Sequence, residues 1–132
     1  MIGELRNFQQ KWVQFYYDML AEGSSVEGAE VDQEGNVNVS KFGGRIIGPG
    51  GFINISQNSK KVCFLASFTS GKSDIRVGGG SLKILQDGSG VKFRKRVEQI
   101  TFSAGYALKT GQEVLYITER AVFKLTEKGL TL

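Results

Sequence analysis

The chain of 132 residues has no histidine, one cysteine and one proline. Each shortage closes a class of chemistry. Without histidine there is no usual general base, no commonest metal ligand, and no Ser–His or Cys–His nucleophile pair. No metal site is expected. A lone cysteine, Cys63, allows no internal disulfide, in keeping with a reducing compartment. It stands in Val62-Cys63-Phe64-Leu65, the setting of a buried, inert core thiol. No apolar run is long enough to span a bilayer and no basic-then-apolar leader opens the chain, so a soluble, cytoplasmic protein without membrane contact is expected.

Glycine, in contrast, is abundant, with 18 residues, and apolar residues make up 40% of the chain. That mixture suits a single globular domain of strands and tight turns and argues against a helical bundle. The net charge of +4 is a mild basic bias, compatible with an anionic ligand.

From the N-terminus, Leu5, Phe8, Trp12, Phe15 (with Tyr16) and Met19 recur at spacings of three and four. This is one face of a helix, suited to a core or a partner. Gly23 to Gly28 then reads as a connector. Ala29 to Ser40 reads as a hairpin around Asp32-Gln33-Glu34-Gly35-Asn36, with Gly35 and Asn36 suited to positive φ. Val37 and Val39 alternate with Asn38 and Ser40, the pattern of a half-buried strand. Val62 to Phe68 is a continuous apolar run, predicted to be a strand buried on both faces. Ile75-Arg76-Val77, three glycines and Leu82-Lys83-Ile84-Leu85 predict a β-hairpin. Lys92, Arg94, Lys95 and Arg96 form a basic cluster, read as a solvated strand end rather than a nucleic-acid surface. Ser103 is the predicted N-cap of a helix over 104–109 that stops at Gly111. Val114 to Thr118 and Ala121 to Leu125 are further strands.

The stretch with the clearest chemical content is Gly48-Pro49-Gly50-Gly51-Phe52-Ile53-Asn54-Ile55-Ser56-Gln57-Asn58-Ser59-Lys60-Lys61. A loop almost without side chains leads into an apolar segment, predicted to be a short helix closing at Lys60 and Lys61. Unpaired N–H groups at such a loop can be approached closely by an oxygen. That is the physics of an anion site or an oxyanion hole.

With its flanks, this stretch resembles the second half of the family I coenzyme A transferases, in particular the short-chain acyl-CoA:acetate (acetoacetate, propionate) group. The likeness runs from Gly35-Asn36-Val37-Asn38-Val39-Ser40 through Phe64-Leu65-Ala66-Ser67-Phe68-Thr69-Ser70-Gly71 and Val97-Glu98-Gln99-Ile100-Thr101-Phe102-Ser103. It closes on Gly111-Gln112-Glu113-Val114-Leu115-Tyr116-Ile117-Thr118-Glu119-Arg120-Ala121-Val122-Phe123-Lys124-Leu125. The resemblance implies an α/β fold, a portion of an open ribose-5-phosphate-isomerase-like sheet with short helices and a hairpin or meander insertion. It implies acyl-CoA and a short carboxylate as substrates, no tightly bound cofactor, and an oxyanion loop at Gly48, Gly50 and Gly51. Asn54, Gln57, Asn38 and Ser40 are candidates to line the same pocket.

In the family, a glutamate in a Glu-x-Gly-x-x-Gly motif attacks the thioester, giving an acyl anhydride and then a glutamyl-CoA thioester. Glu22, Glu27 and Glu34 each precede a glycine without that spacing, and Glu98 and Glu119 lie in strand-like segments where the nucleophile does not fall. The expectation is a divergent, helical segment over 1–28 and a partial transferase domain over 29–132. The nucleophile is therefore read as absent and the isolated chain is expected to be inactive; the likeness also ends before the family's C-terminal tail. The alternative is a non-catalytic structural or CoA- or nucleotide-binding protein on the same fold. Open sheet edges predict a homo-oligomer, a dimer through Phe8, Trp12, Phe15 and Tyr16.

Overall fold

The computed structural model describes residues 29–132. The predicted helix and its aromatic face, and the connector at 23–28, lie outside the described residues.

The described residues open with β1 (Glu30–Asp32) and β2 (Val37–Asn38), an antiparallel pair in which Val31 faces Val37. The turn between them is held by one side chain. Asp32 Oδ1 accepts from the N–H of Glu34 at 3.1 Å and of Asn36 at 2.9 Å. Asp32 Oδ2 accepts from Asn36 Nδ2 at 3.2 Å and from the N–H of Val97 at 3.4 Å. Gly35 takes φ +94°, as expected; Asn36 does not, because no described residue other than glycine has positive φ. Its side chain instead bridges Asp32 and the N–H of Ala104, 2.9 Å away.

A small hairpin, β3 (Lys41–Phe42) and β4 (Arg45–Ile46), leads into the glycine loop. Helix α1 (Phe52–Gln57) follows, ending at Asn58. It is shorter than predicted and carries no basic residue in its last turn. Lys61 instead begins β5 (Lys61–Leu65), where it pairs with Glu113 at 3.1 Å.

β5 lies parallel to β11 (Glu113–Ile117), and β12 (Val122–Thr126) and β13 (Gly129–Thr131) extend the sheet antiparallel in the order β13-β12-β11-β5. Between β5 and β11 run β6 (Thr69–Ser70), the hairpin β7 (Asp74–Gly78) and β8 (Ser81–Gln86), β9 (Gly90–Val91), β10 (Phe93–Arg94) and helix α2 (Ala104–Lys109). The hairpin turns on its glycines as predicted. The N-cap of α2 is Ser103, whose Oγ accepts from the N–H of Tyr106 at 3.2 Å. β10 pairs parallel with β1, giving a second sheet, β10-β1-β2. Among the described residues the result is a mixed α/β fold, mostly strand with two short helices.

The core is aromatic and centres on Phe64. Its ring lies 5.9 Å from Phe52, 5.0 Å from Phe102 and 5.2 Å from Tyr116. Val31, Val37, Val62, Val114, Ala107 and Leu125 close around it. Burying one such ring contributes about 1.5–3 kcal/mol. The prediction that β5 is buried on both faces is corrected. Val62 and Phe64 point into the core, whereas Leu65 is 53% exposed and Cys63 half-buried. Two-fold alternation puts Cys63 and Leu65 on the opposite face, and no described layer covers it. Cys63 is thus not a core thiol, although partial burial still pushes its pKa up.

The reading of Lys92 as part of a solvated cluster is also corrected. It is only 2% exposed, and its ammonium donates to Ser67 Oγ at 2.9 Å. Arg94 is held by Glu30 at 2.6 Å yet stays exposed, as do Lys95 and Arg96, in line with the solvated reading.

Candidate functional site: the glycine loop

The loop is built by contrast with its neighbours. Ser40 anchors its start: the Ser40 carbonyl accepts from the N–H of Ile47 at 2.8 Å and of Gly48 at 3.3 Å. Gly48 (φ +92°) therefore shapes the turn, its own donor being used. Beyond it, the Pro49 carbonyl accepts from the N–H of Phe52 at 3.0 Å, and the Gly51 carbonyl from the N–H of Ile55 at 3.1 Å. Phe52 is driven into the core and pins the loop's exit. Between these two anchors, the N–H groups of Gly50 and Gly51 meet no acceptor among the described residues.

The space above them is open. A Cβ at Gly48 or at Gly50 (φ +51°) would meet nothing within 4 Å, and one at Gly51 would meet only the end of Ile55 at 3.5 Å. Packing therefore does not account for the absence of side chains. Three isoleucines flank the loop in solvent, Ile46 at 72%, Ile47 at 47% and Ile53 at 44% exposure. Helix α1 has six residues, so its dipole is small; the accessible donors are the loop's main chemical asset.

The other predicted site residues fall in three places. Asn54 is exposed on α1. Gln57 reaches across to α2, its Oε1 accepting from the N–H of Ser103 at 2.7 Å, while its buried Nε2 has no partner among the described residues. Asn38 and Ser40 are buried and their polar atoms are spent on structure. Asn38 Nδ2 donates to the Lys41 carbonyl at 2.6 Å and to Glu30 Oε2 at 3.3 Å, and its Oδ1 accepts from the N–H of Ser40 and of Lys41. Ser40 Oγ lies 2.8 Å from Thr101 Oγ1. The strand's polar face is thus as buried as its apolar one.

The carboxylates considered as nucleophiles are engaged elsewhere. Glu98 accepts from the N–H of Gly44 at 2.9 Å and faces Lys41 at 3.6 Å. Glu119 accepts from the N–H of Phe68 at 2.9 Å and from Arg120 Nε at 3.0 Å. Glu34 contacts Asn36 at 3.3 Å. Glu22 and Glu27 lie outside the described residues. Among the described residues, no group of three or more Cys, Asp or Glu is placed to hold a metal ion, and no helix is long and apolar enough to cross a membrane.

Sequence reasoning missed two arrangements. One is an open groove of about 610 Å³ beyond the C-terminal ends of β5 and β11, lined by Leu65, Ala66, Ser67, Ile75, Ile117, Thr118 and Glu119; none of the predicted site residues lines it. The other is the clasp at its rim. Arg120 grips Asp87 with two bonds of 3.0 and 2.6 Å, and Thr69 Oγ1 donates to the same carboxylate at 2.7 Å. The Arg120 guanidinium, then Thr69, hold the Asp87 carboxyl well below the usual carboxylate range. An Arg and an Asp thirty-three positions apart carry no sequence signal of pairing.

No family model matches the chain. Individual proteins do. It is 50% identical over 109 residues to the caffeate CoA-transferase of Acetobacterium woodii, and 52% identical over 104 residues to the acetate CoA-transferase YdiF of Escherichia coli O157:H7. Each match takes in 79% of this chain but only 21% and 20% of those proteins. The crystal structure of the acyl-CoA transferase YdiF apoenzyme from E. coli O157:H7 superposes with a TM-score of 0.74 at 52% identity, over 77% of this chain and 20% of that one. The same holds for its thioester complex with CoA. The chain thus spans about one fifth of the length of the relatives it matches. Over the matched span, in sequence and in fold alike, the chain is similar to a portion of the acyl-CoA transferases.

Proposed function

We propose that this chain is a portion of a short-chain acyl-CoA transferase, the class of enzyme that moves CoA between an acyl-CoA and a short carboxylate. Gly50 and Gly51 are its oxyanion donors, with Gly48 setting the turn. The observation that carries the reading is the pair of unoccupied N–H groups under open space, in a segment about half identical to the CoA-transferases. When a carboxylate attacks a thioester carbonyl, negative charge grows on the carbonyl oxygen. Two preorganised N–H groups at hydrogen-bond distance lower that barrier, typically by about 3 kcal/mol for each donor. Asn54, exposed on α1, would line the approach, whereas Gln57 is turned to the N–H of Ser103. The substrates would be acyl-CoA and a short carboxylate, with CoA held as a thioester substrate rather than as a resident cofactor.

The chain by itself is proposed not to turn over. Glu98 and Glu119 are committed to backbone N–H groups and cations, and neither has the Glu-x-Gly-x-x-Gly setting. Residues 1–28 form a divergent segment and 29–132 the transferase-like domain, placed in the cytoplasm. The domain associates as a dimer through Phe8, Trp12, Phe15 and Tyr16.

An assay with acetyl-CoA and a short carboxylate, followed by borohydride treatment and intact mass, tests this. No turnover and no mass change are expected. Turnover with a reduced glutamate would show that a carboxylate, Glu27 first, serves as nucleophile. The second reading, a non-catalytic CoA- or nucleotide-binding protein, is favoured by the same committed carboxylates. It predicts saturable CoA binding, lost in Gly50→Val, without turnover.

A further inference from the structure

We propose that Ser67 and Lys92 form a separate acyl-transfer centre, a serine nucleophile with a lysine base, which hydrolyses uncharged short-chain esters in the groove beyond β5 and β11. It goes beyond the transferase reading and uses neither the glycine loop nor a glutamate nucleophile.

The fold brings the pair together from 25 positions apart. Ser67 follows the end of β5, is half-buried and lines the groove. Lys92 lies between β9 and β10 and is only 2% exposed. Its Nζ is 2.9 Å from Ser67 Oγ. The backbone is held on both sides of each residue. β9 pairs with β6 and β10 with β1, and the Lys92 carbonyl accepts from the N–H of Val31 at 2.9 Å. The N–H of Ala66 donates to the Ile117 carbonyl at 3.1 Å, and the N–H of Phe68 to Glu119 at 2.9 Å. The Phe68 ring stacks on Phe93 at 4.9 Å. Support of this kind keeps a nucleophile and its base in register.

Burial supplies the base. Desolvation disfavours an ammonium against the neutral amine, so a lysine withdrawn from water can accept a proton. The chain has no histidine, and Ser–Lys pairs perform the same chemistry as Ser–His pairs. At rest, Ser67 Oγ donates to the Thr69 carbonyl at 2.8 Å. Rotating the hydroxyl toward the neutral Lys92 amine arms it. Ser67 Oγ then bonds to the ester carbonyl carbon while its proton passes to Lys92 Nζ. The carbonyl electron pair moves onto oxygen. The N–H groups of Ser67 and Glu119 belong to groove-lining residues and meet no acceptor among the described residues. They are the donors available to that oxyanion. As the carbonyl re-forms, the bond to the ester's alcohol oxygen breaks, and the alcohol leaves with the proton from Lys92. Water then attacks the acyl-serine, giving a proton to Lys92, which returns it to Ser67 Oγ as the acid departs.

The walls define the substrate class. Leu65, Ala66, Ile75 and Ile117 offer aliphatic surface to a short acyl chain. At the rim, one guanidinium, Arg120, faces two carboxylates, Asp87 and Glu119. That leaves no positive surplus there to hold phosphates. An uncharged ester suits the groove, and a CoA thioester does not.

Two probes test the pair on the wild type, Ser67→Ala, Lys92→Met and the control Cys63→Ala. Release of nitrophenol from p-nitrophenyl butyrate gives the rate. An alkyl fluorophosphonate, which forms a stable ester with an activated serine, is mapped by peptide mass. The wild type is expected to turn over the ester and to carry the phosphonate on Ser67. Ser67→Ala loses both. Lys92→Met, similar in length but without an amine, slows both by about a hundredfold or more, with circular dichroism unchanged. Cys63→Ala behaves as the wild type. Release that survives Ser67→Ala, a phosphonate on another residue or on none, or an unaltered rate in Lys92→Met each overturns the proposal. If Lys92→Met fails to fold, the labelling of Ser67 in the wild type still decides.

Discussion

Two turns of this molecule depend on glycine, and they are opposite in kind. At Gly35 the chain is packed to the limit. A Cβ there would sit 2.7 Å from Leu125 and 2.8 Å from the Tyr116 hydroxyl. The Gly35 carbonyl accepts that hydroxyl's proton, and Asp32 holds the rest of the turn. At Gly50 an added Cβ would meet nothing within 4 Å, and the N–H groups of Gly50 and Gly51 meet no acceptor among the described residues. The first glycine is explained by the fold. The second answers to backbone conformation alone, since its φ of +51° strains a side chain although no neighbour crowds it. Comparing the two separates a glycine required by packing from one required by backbone conformation alone.

The comparison breaks most sharply on paired alanine substitutions. Gly35→Ala meets both backbone strain and two clashes and should lose about 2–5 kcal/mol. Gly50→Ala carries the strain alone and should lose about 1–2 kcal/mol. Urea midpoints of the two variants decide it. Equal losses would mean that the loop is packed after all.

Tyr116→Phe tests the tight turn from its other side. Removing the hydroxyl leaves the Gly35 carbonyl without its partner, at a cost of about 1–2 kcal/mol. Burial, and then the Asp32 charge, push the Tyr116 phenol well above its usual range. The folded state therefore holds that proton more tightly than the unfolded one. The stability it contributes is complete below an unfolded pKa of about 10 and is lost as pH rises through the folded value. Denaturation followed from pH 8 upward should show an alkaline decline that Tyr116→Phe flattens.

The smallest effect belongs to the clasp between Asp87 and Arg120, which is open to solvent. Because the folded-state pKa of Asp87 is depressed, the contribution is present above the ordinary carboxylate pKa of about 3.9 and fades as pH falls through the folded value. Asp87→Asn should leave the global midpoint nearly unmoved while amide exchange quickens in the β7–β8 hairpin. Unchanged exchange there would show that the clasp does not hold the hairpin down.

Much of this was legible beforehand. The hairpin at Gly35, the capped helix after Ser103, the glycine turn at 78–80 and the strands at Val114 to Thr118 and Ala121 to Leu125 follow from turn chemistry and periodicity, which act over a few residues. The glycine loop was legible as a loop, though not the spending of its Gly48 donor on Ser40. The readings that failed concern neighbours far away in the chain. An apolar run such as Val62 to Leu65 looks the same whether one face is covered or two. A lysine in a basic run does not announce that Ser67 will bury it.

The amino-acid sequence by itself determined the local elements, the absence of histidine chemistry and the side-chain-free loop, because each is set by residue type and short-range geometry. Tertiary structure alone decided which glycine is locked and which is open. It decided that Asn38 and Ser40 serve the core, and that Val62 and Phe64 of β5 are covered while Leu65 is left exposed. Those outcomes depend on which distant surfaces meet, and burial is a property of the meeting rather than of either stretch of chain.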